Sequence, residues 1–219
     1  MAKKTAKKQT KKSSTKKKVV KKKSSVKSSD TTVKKTRKFH KEIEIVNIVV
    51  SAALGHDIPL EKMAATLPNT EYNPEQFPGL VIRIKDPKTS ALIFSSGKIV
   101  CTGARSMEKV KESIKKIIKN LEKINVKIKE VPVPEIQNIV ASGSIGVDLN
   151  LNVLAMKLDN TEYEPEQFPG LVYKLPKHRA TFLLFSNGKI VCTGTKSEGE
   201  VHESVDKLIE ILKELFEKK

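Results

Sequence analysis

The chain has 219 residues, enough for one large domain or two small ones. It carries 42 Lys and Arg against 25 Asp and Glu, a net charge of +17. No stretch approaches the length of a membrane-spanning helix, and the only cysteines, Cys101 and Cys192, have neither metal-ligand nor redox spacing, so they read as small buried apolar residues of an intracellular protein.

The charge is not evenly spread. Residues 1–41 hold 17 Lys and Arg37 against the single acid Asp30, a net of +17, and residues 42–219 are left with 24 basic and 24 acidic side chains. The basic segment, MAKKTAKKQTKKSSTKKKVV and onward, is Lys, Ser and Thr with almost no apolar residues. It cannot bury enough surface to offset its ordering entropy, so disorder is expected. No apolar run follows its charged start, which excludes a secretory signal. A Lys-rich arm of this kind either contacts polyanions or simply solubilises the chain.

From residue 42 the sequence is written twice, at an offset of 91 residues and roughly over 42–132 and 133–219. NTEYNPEQFPGLVIRI from Asn69 returns as NTEYEPEQFPGLVYKL from Asn160, with twelve of sixteen positions identical. SALIFSSGKIVCTGARS from Ser90 returns as TFLLFSNGKIVCTGTKS from Thr181, and eleven of those seventeen positions match. Two copies are too few for a solenoid, so they imply one pseudosymmetric body or two similar domains.

In chain order, EIEIVNIVVS from Glu42 is β-branched and strand-like. IPLEKMAATL reads as a short helix with Pro59 in its first turn and Leu60, Met63, Ala64 and Leu67 at helical spacing. LVIRI, ALIF and KIVCTG follow as three short strands, with turns at Asp86-Pro87 and Ser96-Gly97. An amphipathic helix runs from Ser106 to about Lys123, and its counterpart from Ser197 to the C-terminus. Tight turns make the sheet antiparallel, and few amphipathic helices imply helices on one face only: an α+β fold.

Strand alternation assigns the other face. Ile48, Val50, Ala91, Ile93, Ile99 and Cys101 form a purely apolar set that suits a helical cover. The opposite set mixes Asn47, Val49, Ser51, Leu92, Phe94, Lys98, Val100 and Thr102, and the second copy repeats it with Asn138, Val140, Ser142, Leu183, Phe185, Lys189, Val191 and Thr193. Cover on both faces would account for apolar residues on both. Against that, the helices are too few for two layers, and a core would have to satisfy each recurring Asn, Thr and Lys. The mixed face suits a flat, partly apolar ligand.

The doubled EYxPEQFPGLV, with LIFSSGKIVCTG and QNIVAS, resembles the conserved core of the TATA-box-binding protein family over residues 42–219. The resemblance implies a saddle: one curved ten-stranded antiparallel sheet, two helices per half on the convex side, and DNA under the concave side. The absence of a eukaryotic-style N-terminal extension points to the archaeal branch, hence a cytoplasmic, nucleoid-associated location; a eukaryotic source implies the nucleus. Asn47, Asn138, Thr102 and Thr193 can then donate to the acceptors of A·T pairs in the minor groove. Val49, Val100, Val140 and Val191 offer nothing to a guanine amino group. Phe77 with Phe94, and Phe168 with Phe185, match positions that wedge into a base step, and Arg83, Lys98, Lys174 and Lys189 match phosphate contacts. The turn around Glu164, Glu166 and Gln167 would meet transcription factor B and, through it, RNA polymerase. The open apolar face also allows a homodimer off DNA. No cofactor or metal is implied.

Two rivals stand beside this reading. An enzyme lacks support: Ser96-Gly97-Lys98 is not a phosphate loop of the Gly-x4-Gly-Lys-Ser/Thr kind, and the four His fall on unrelated segments. A basic-tailed chromatin or other non-sequence-specific nucleic-acid-binding protein would hold mixed sequences as well as A·T-rich ones.

Overall fold

The computed structural model describes residues 38–217. The Lys-rich segment of residues 1–37, with its expected disorder, lies outside them. Ten strands and four helices follow in chain order. The first half comprises β1 (Glu42–Ala53), α1 (Leu60–Thr66), β2 (Thr70–Glu71), β3 (Gly79–Ile84), β4 (Thr89–Phe94), β5 (Lys98–Ala104) and α2 (Met107–Glu122). The second comprises β6 (Glu135–Ser144), α3 (Leu151–Lys157), β7 (Thr161–Glu162), β8 (Leu171–Lys174), β9 (Thr181–Leu184), β10 (Lys189–Thr195) and α4 (Glu198–Glu217). All strands join one curved antiparallel sheet of order β2-β3-β4-β5-β1-β6-β10-β9-β8-β7, so the two copies meet along β1 and β6, and each sheet edge is a two-residue strand.

The predicted apolar face is the buried one. Val50, Ile93, Ile99 and Cys101 are fully buried beneath α1 and α2, together with Val110, Ile114, Ile117 and Leu121 from α2 itself. The second half repeats this with Ile139, Ala141, Phe182, Ile190 and Cys192 under Val201, Val205, Leu208 and Leu212 of α4. These are two separate cores, and Ile45 and Ile136 pack against both. Burial pushes the Cys101 and Cys192 thiols up to about 11, so both stay protonated at neutral pH.

Local chemistry sets the ends. Ser106 precedes α2, and its hydroxyl accepts from the Lys109 N–H, as an N-cap does. Pro59 differs from expectation: it stands at the N-cap of α1 with φ −77° and ψ 89°, not inside the first turn. Before β1 the chain is already tied to the body, with Phe39 stacked on Phe216 at 6.3 Å and Lys41 paired with Asp206. Among the described residues no helix is long and apolar enough to cross a membrane.

One polar group is out of place. Thr195 is fully buried, and its hydroxyl has no partner; the equivalent residue of the first half is Ala104, also buried. An orphaned buried hydroxyl costs about 1–3 kcal/mol. Thr195→Val keeps the shape and removes the hydroxyl, so it is expected to raise stability by about 1 kcal/mol, read as a higher urea midpoint at unchanged slope.

Candidate nucleic-acid interface

Among the described residues no helix covers the second face of the sheet, and the predicted mixed set lines it. Cross-strand pairing organises these side chains into rows. Val81 stands opposite Leu92, Leu92 opposite Val100, and Val100 opposite Ser51. Val172, Leu183, Val191 and Ser142 form the same row in the second half. At the seam Asn47 faces Val140 and Val49 faces Asn138. The result is an apolar floor, half-buried by its own neighbours, with two amides at its centre.

Those amides are held in a defined orientation. The β1–β5 register shifts between Ile48, which faces Ala104, and Val50, which faces Cys101, so β5 has one residue more than β1 over this stretch. This is a bulge, and Gly103 takes it at φ +96°, a conformation that favours glycine. The Gly103 N–H donates to Asn47 Oδ1 at 2.7 Å. A donor on that atom identifies it as the carbonyl oxygen and leaves Nδ2 as the donor end. Nδ2 donates to Thr102 Oγ1 at 3.1 Å. The Thr102 hydroxyl donates back to Asn47 Oδ1 at 3.2 Å, a bond it can exchange for one to a ligand, and one Nδ2 hydrogen remains free. The second half matches it: Gly194 at φ +95°, its N–H to Asn138 Oδ1 at 2.8 Å, and Asn138 Nδ2 to Thr193 Oγ1 at 3.0 Å. The twice-written Cys-Thr-Gly supplies the acceptor and donor that fix each amide.

Toward the ends of the face lie two aromatic pairs. Phe77 and Phe94 have ring centroids 5.9 Å apart at 62°, and Phe168 and Phe185 5.9 Å apart at 69°. Phe77 and Phe168 are 43% and 41% exposed, unusual for Phe in a folded body. A short turn presents each of them: the Phe77 N–H donates to the Asn73 carbonyl at 3.0 Å, and the Phe168 N–H to the Glu164 carbonyl at 2.9 Å. The glycine after Phe-Pro has a steric reason. A Cβ on Gly79 would lie 2.7 Å from Phe77 Cε1, and one on Gly170 would lie 2.6 Å from Phe168 Cε1. The rings lie over bare backbone.

All four predicted cations are exposed on this face. Lys98 and Lys189 open β5 and β10, while Arg83 and Lys174 lie on β3 and β8. Arg83 pairs with Glu71 at 2.8 Å and Lys174 with Glu162 at 3.6 Å. Glu164, Glu166 and Gln167 are exposed on the turn before Phe168. Three features escaped the sequence reading: the floor residues Val81 and Val172, the two acids, and Gln137, which donates to Ser51 Oγ at 2.8 Å across the seam. Among the described residues no group of three His, Cys, Asp or Glu is placed to hold a metal ion. The face offers fixed hydrogen-bond donors, apolar contact, aromatic edges and peripheral charge.

Comparison with known proteins agrees with this arrangement. A family model described as transcription factor TFIID (or TATA-binding protein, TBP) matches residues 42–124 and again 133–215. A TATA-box-binding protein of Methanocaldococcus jannaschii is 49% identical over 176 residues, which is 80% of this chain and 96% of that protein. One from Methanosphaera stadtmanae is 53% identical over 178 residues, with the same coverage of both. A solved structure of Methanococcus jannaschii TBP superposes with a TM-score of 0.75 at 49% identity, covering 80% of this chain and 99% of that one.

Proposed function

Because the chain belongs to the TATA-binding protein family, we propose that it is a general transcription factor whose open sheet face binds the minor groove of A·T-rich promoter DNA. The minor-groove edge of an A·T pair carries acceptors only, whereas G·C adds an amino donor. Asn47, Thr102, Asn138 and Thr193 meet those acceptors with hydrogens. A guanine amino group there would face the donors, or the methyls of Val49, Val100, Val140 and Val191, and lose its partner. Leu92 and Leu183 continue the apolar contact toward the sugars.

Minor-groove proteins insert apolar wedges between base pairs, with this family itself as the type example, and the unstacking is offset by the extra surface the bent DNA wraps. Phe77 with Phe94 and Phe168 with Phe185 take that role at the two ends. Arg83, Lys98, Lys174 and Lys189 approach phosphates and add salt-dependent, sequence-independent affinity. The turn bearing Glu164, Glu166 and Gln167 is free to dock transcription factor B and, through it, RNA polymerase, which begins assembly of the initiation complex. Off DNA, the same apolar floor is a surface on which two copies of the chain can pair.

The observation that carries this reading is the pair of amides, each with its oxygen held by a glycine N–H, at the centre of a half-buried apolar sheet face. Titrating the protein against an A·T-rich duplex and the same duplex with central G·C pairs tests it. Each substituted pair is expected to weaken binding by about 1–3 kcal/mol. Equal affinity for both duplexes would favour the basic-tailed, non-specific reading.

A further inference from the structure

The outer cations of the two halves already have anionic partners. Arg83 Nη1 is 2.8 Å from Glu71 Oε2, and Lys174 Nζ is 3.6 Å from Glu162 Oε1. The acids sit on β2 and β7, the two edges of the sheet. Glu71 faces Val81 and Glu162 faces Val172. Facing residues of an antiparallel pair share a side of the sheet, so both carboxylates stand on the open face, diagonal to their cations. Lys98 and Lys189 differ: among the described residues neither has an ion-pair partner.

Exposed pairs like these contribute little to folding, so stability does not account for their presence in both copies. Their effect on a polyanion is larger. A phosphate that approaches Arg83 or Lys174 must displace a carboxylate, and that carboxylate remains close by and repels it. We propose that Glu71 and Glu162 are built-in competitors for phosphate at the outer cations, restraining the sequence-independent hold of the open face on DNA. The inference rests on the open face being the DNA-binding surface. Binding to bulk duplex consists almost wholly of phosphate contacts, so a face whose outer cations are masked spends less time on it.

The test uses the full chain, with wild type, E71Q/E162Q, R83Q/K174Q and the quadruple variant, titrated against A·T-rich and mixed-sequence duplexes over a salt series. On the mixed-sequence duplex E71Q/E162Q is expected to bind about three- to tenfold tighter at 50 mM salt. Its log–log salt slope should steepen by about one to two, near 0.9 for each cation released. In the R83Q/K174Q background the same Gln substitutions should change affinity by less than about twofold, which separates unmasking of the cations from a general loss of negative charge. An unchanged slope, or equal tightening in both backgrounds, overturns the inference while wild type still prefers A·T-rich DNA. A wild type with no such preference overturns the interface reading and this inference together.

Discussion

Replacing Asn47 and Asn138 together by Asp is expected to remove preferential binding to A·T-rich DNA while leaving the fold intact. The substitution is nearly isosteric, and a carboxylate oxygen still accepts the Gly103 and Gly194 N–H bonds, so the bulges and the seam keep their geometry. What changes is the other end of each side chain. The Nδ2 donor becomes an anionic acceptor, and the Thr102 and Thr193 hydroxyls, which already donate to the Asn oxygens at 3.2 and 3.4 Å, are held there by the carboxylate and lost to a ligand. Each half then sets acceptor against acceptor in the groove. At about 1–3 kcal/mol per unmet group, with added repulsion from a negative charge near phosphates, affinity for the A·T-rich duplex should fall by at least about a hundredfold. The thermal midpoint should move by only a few degrees. Asp variants that bind like wild type would falsify the donor assignment. Loss of the folded state instead would mean the amides are structural.

Changing Phe168 and Phe185 to Ala should straighten the DNA at one end of the complex. The rings form an edge-to-face pair 5.9 Å apart, and Phe168 is 41% exposed. Their loss removes apolar contact worth about 3 kcal/mol in all, close to a hundredfold in affinity. Association should slow by less than about twofold, because encounter is governed by charge that the variant leaves alone. End-to-end energy transfer on a doubly labelled duplex should show about half of the bend gone, and all of it gone when Phe77 and Phe94 are also replaced. Gly170→Ala offers a subtler variant. Its methyl would lie 2.6 Å from Phe168 Cε1, so the ring must shift while both aromatics remain. Reduced bending with both Phe present would tie the effect to ring placement. Undiminished bending in the double Ala variant excludes the wedge role.

Much of this was legible in the sequence because the physics involved is periodic. Alternation in NIVVS, ALIF and KIVCTG separates Ile48, Val50, Ile93, Ile99 and Cys101 from Asn47, Val49, Phe94 and Thr102, and burial follows that division residue by residue. The 3.6-residue stripe placed both ends of α2 and the start of α4 to within a residue. The features that escaped depend on register or on lengths too short to carry a period. Two residues cannot alternate, so β2 and β7 were implied only by family resemblance, and with them went Glu71 and Glu162. LVIRI and LVYKL are almost unbroken apolar runs, which concealed that Val81 and Val172 share a side with Arg83 and Lys174. The bulges at Gly103 and Gly194 belong to strand pairing and not to either strand alone, so Cys-Thr-Gly could be seen twice without its purpose being apparent.

The way the two copies join has a meaning of its own. Asn47 opposite Val140 and Val49 opposite Asn138 are one contact viewed from either side of an approximate diad, since each residue maps onto its counterpart 91 positions away. A joint with that property is self-mating: the strand that begins one half is a valid partner for itself. The molecule therefore has the form of a covalently stitched dimer. Its tether leaves each half at liberty to drift in composition, Arg83 against Lys174 or Ala104 against Thr195, while a shared backbone ladder keeps the two registered to a single target.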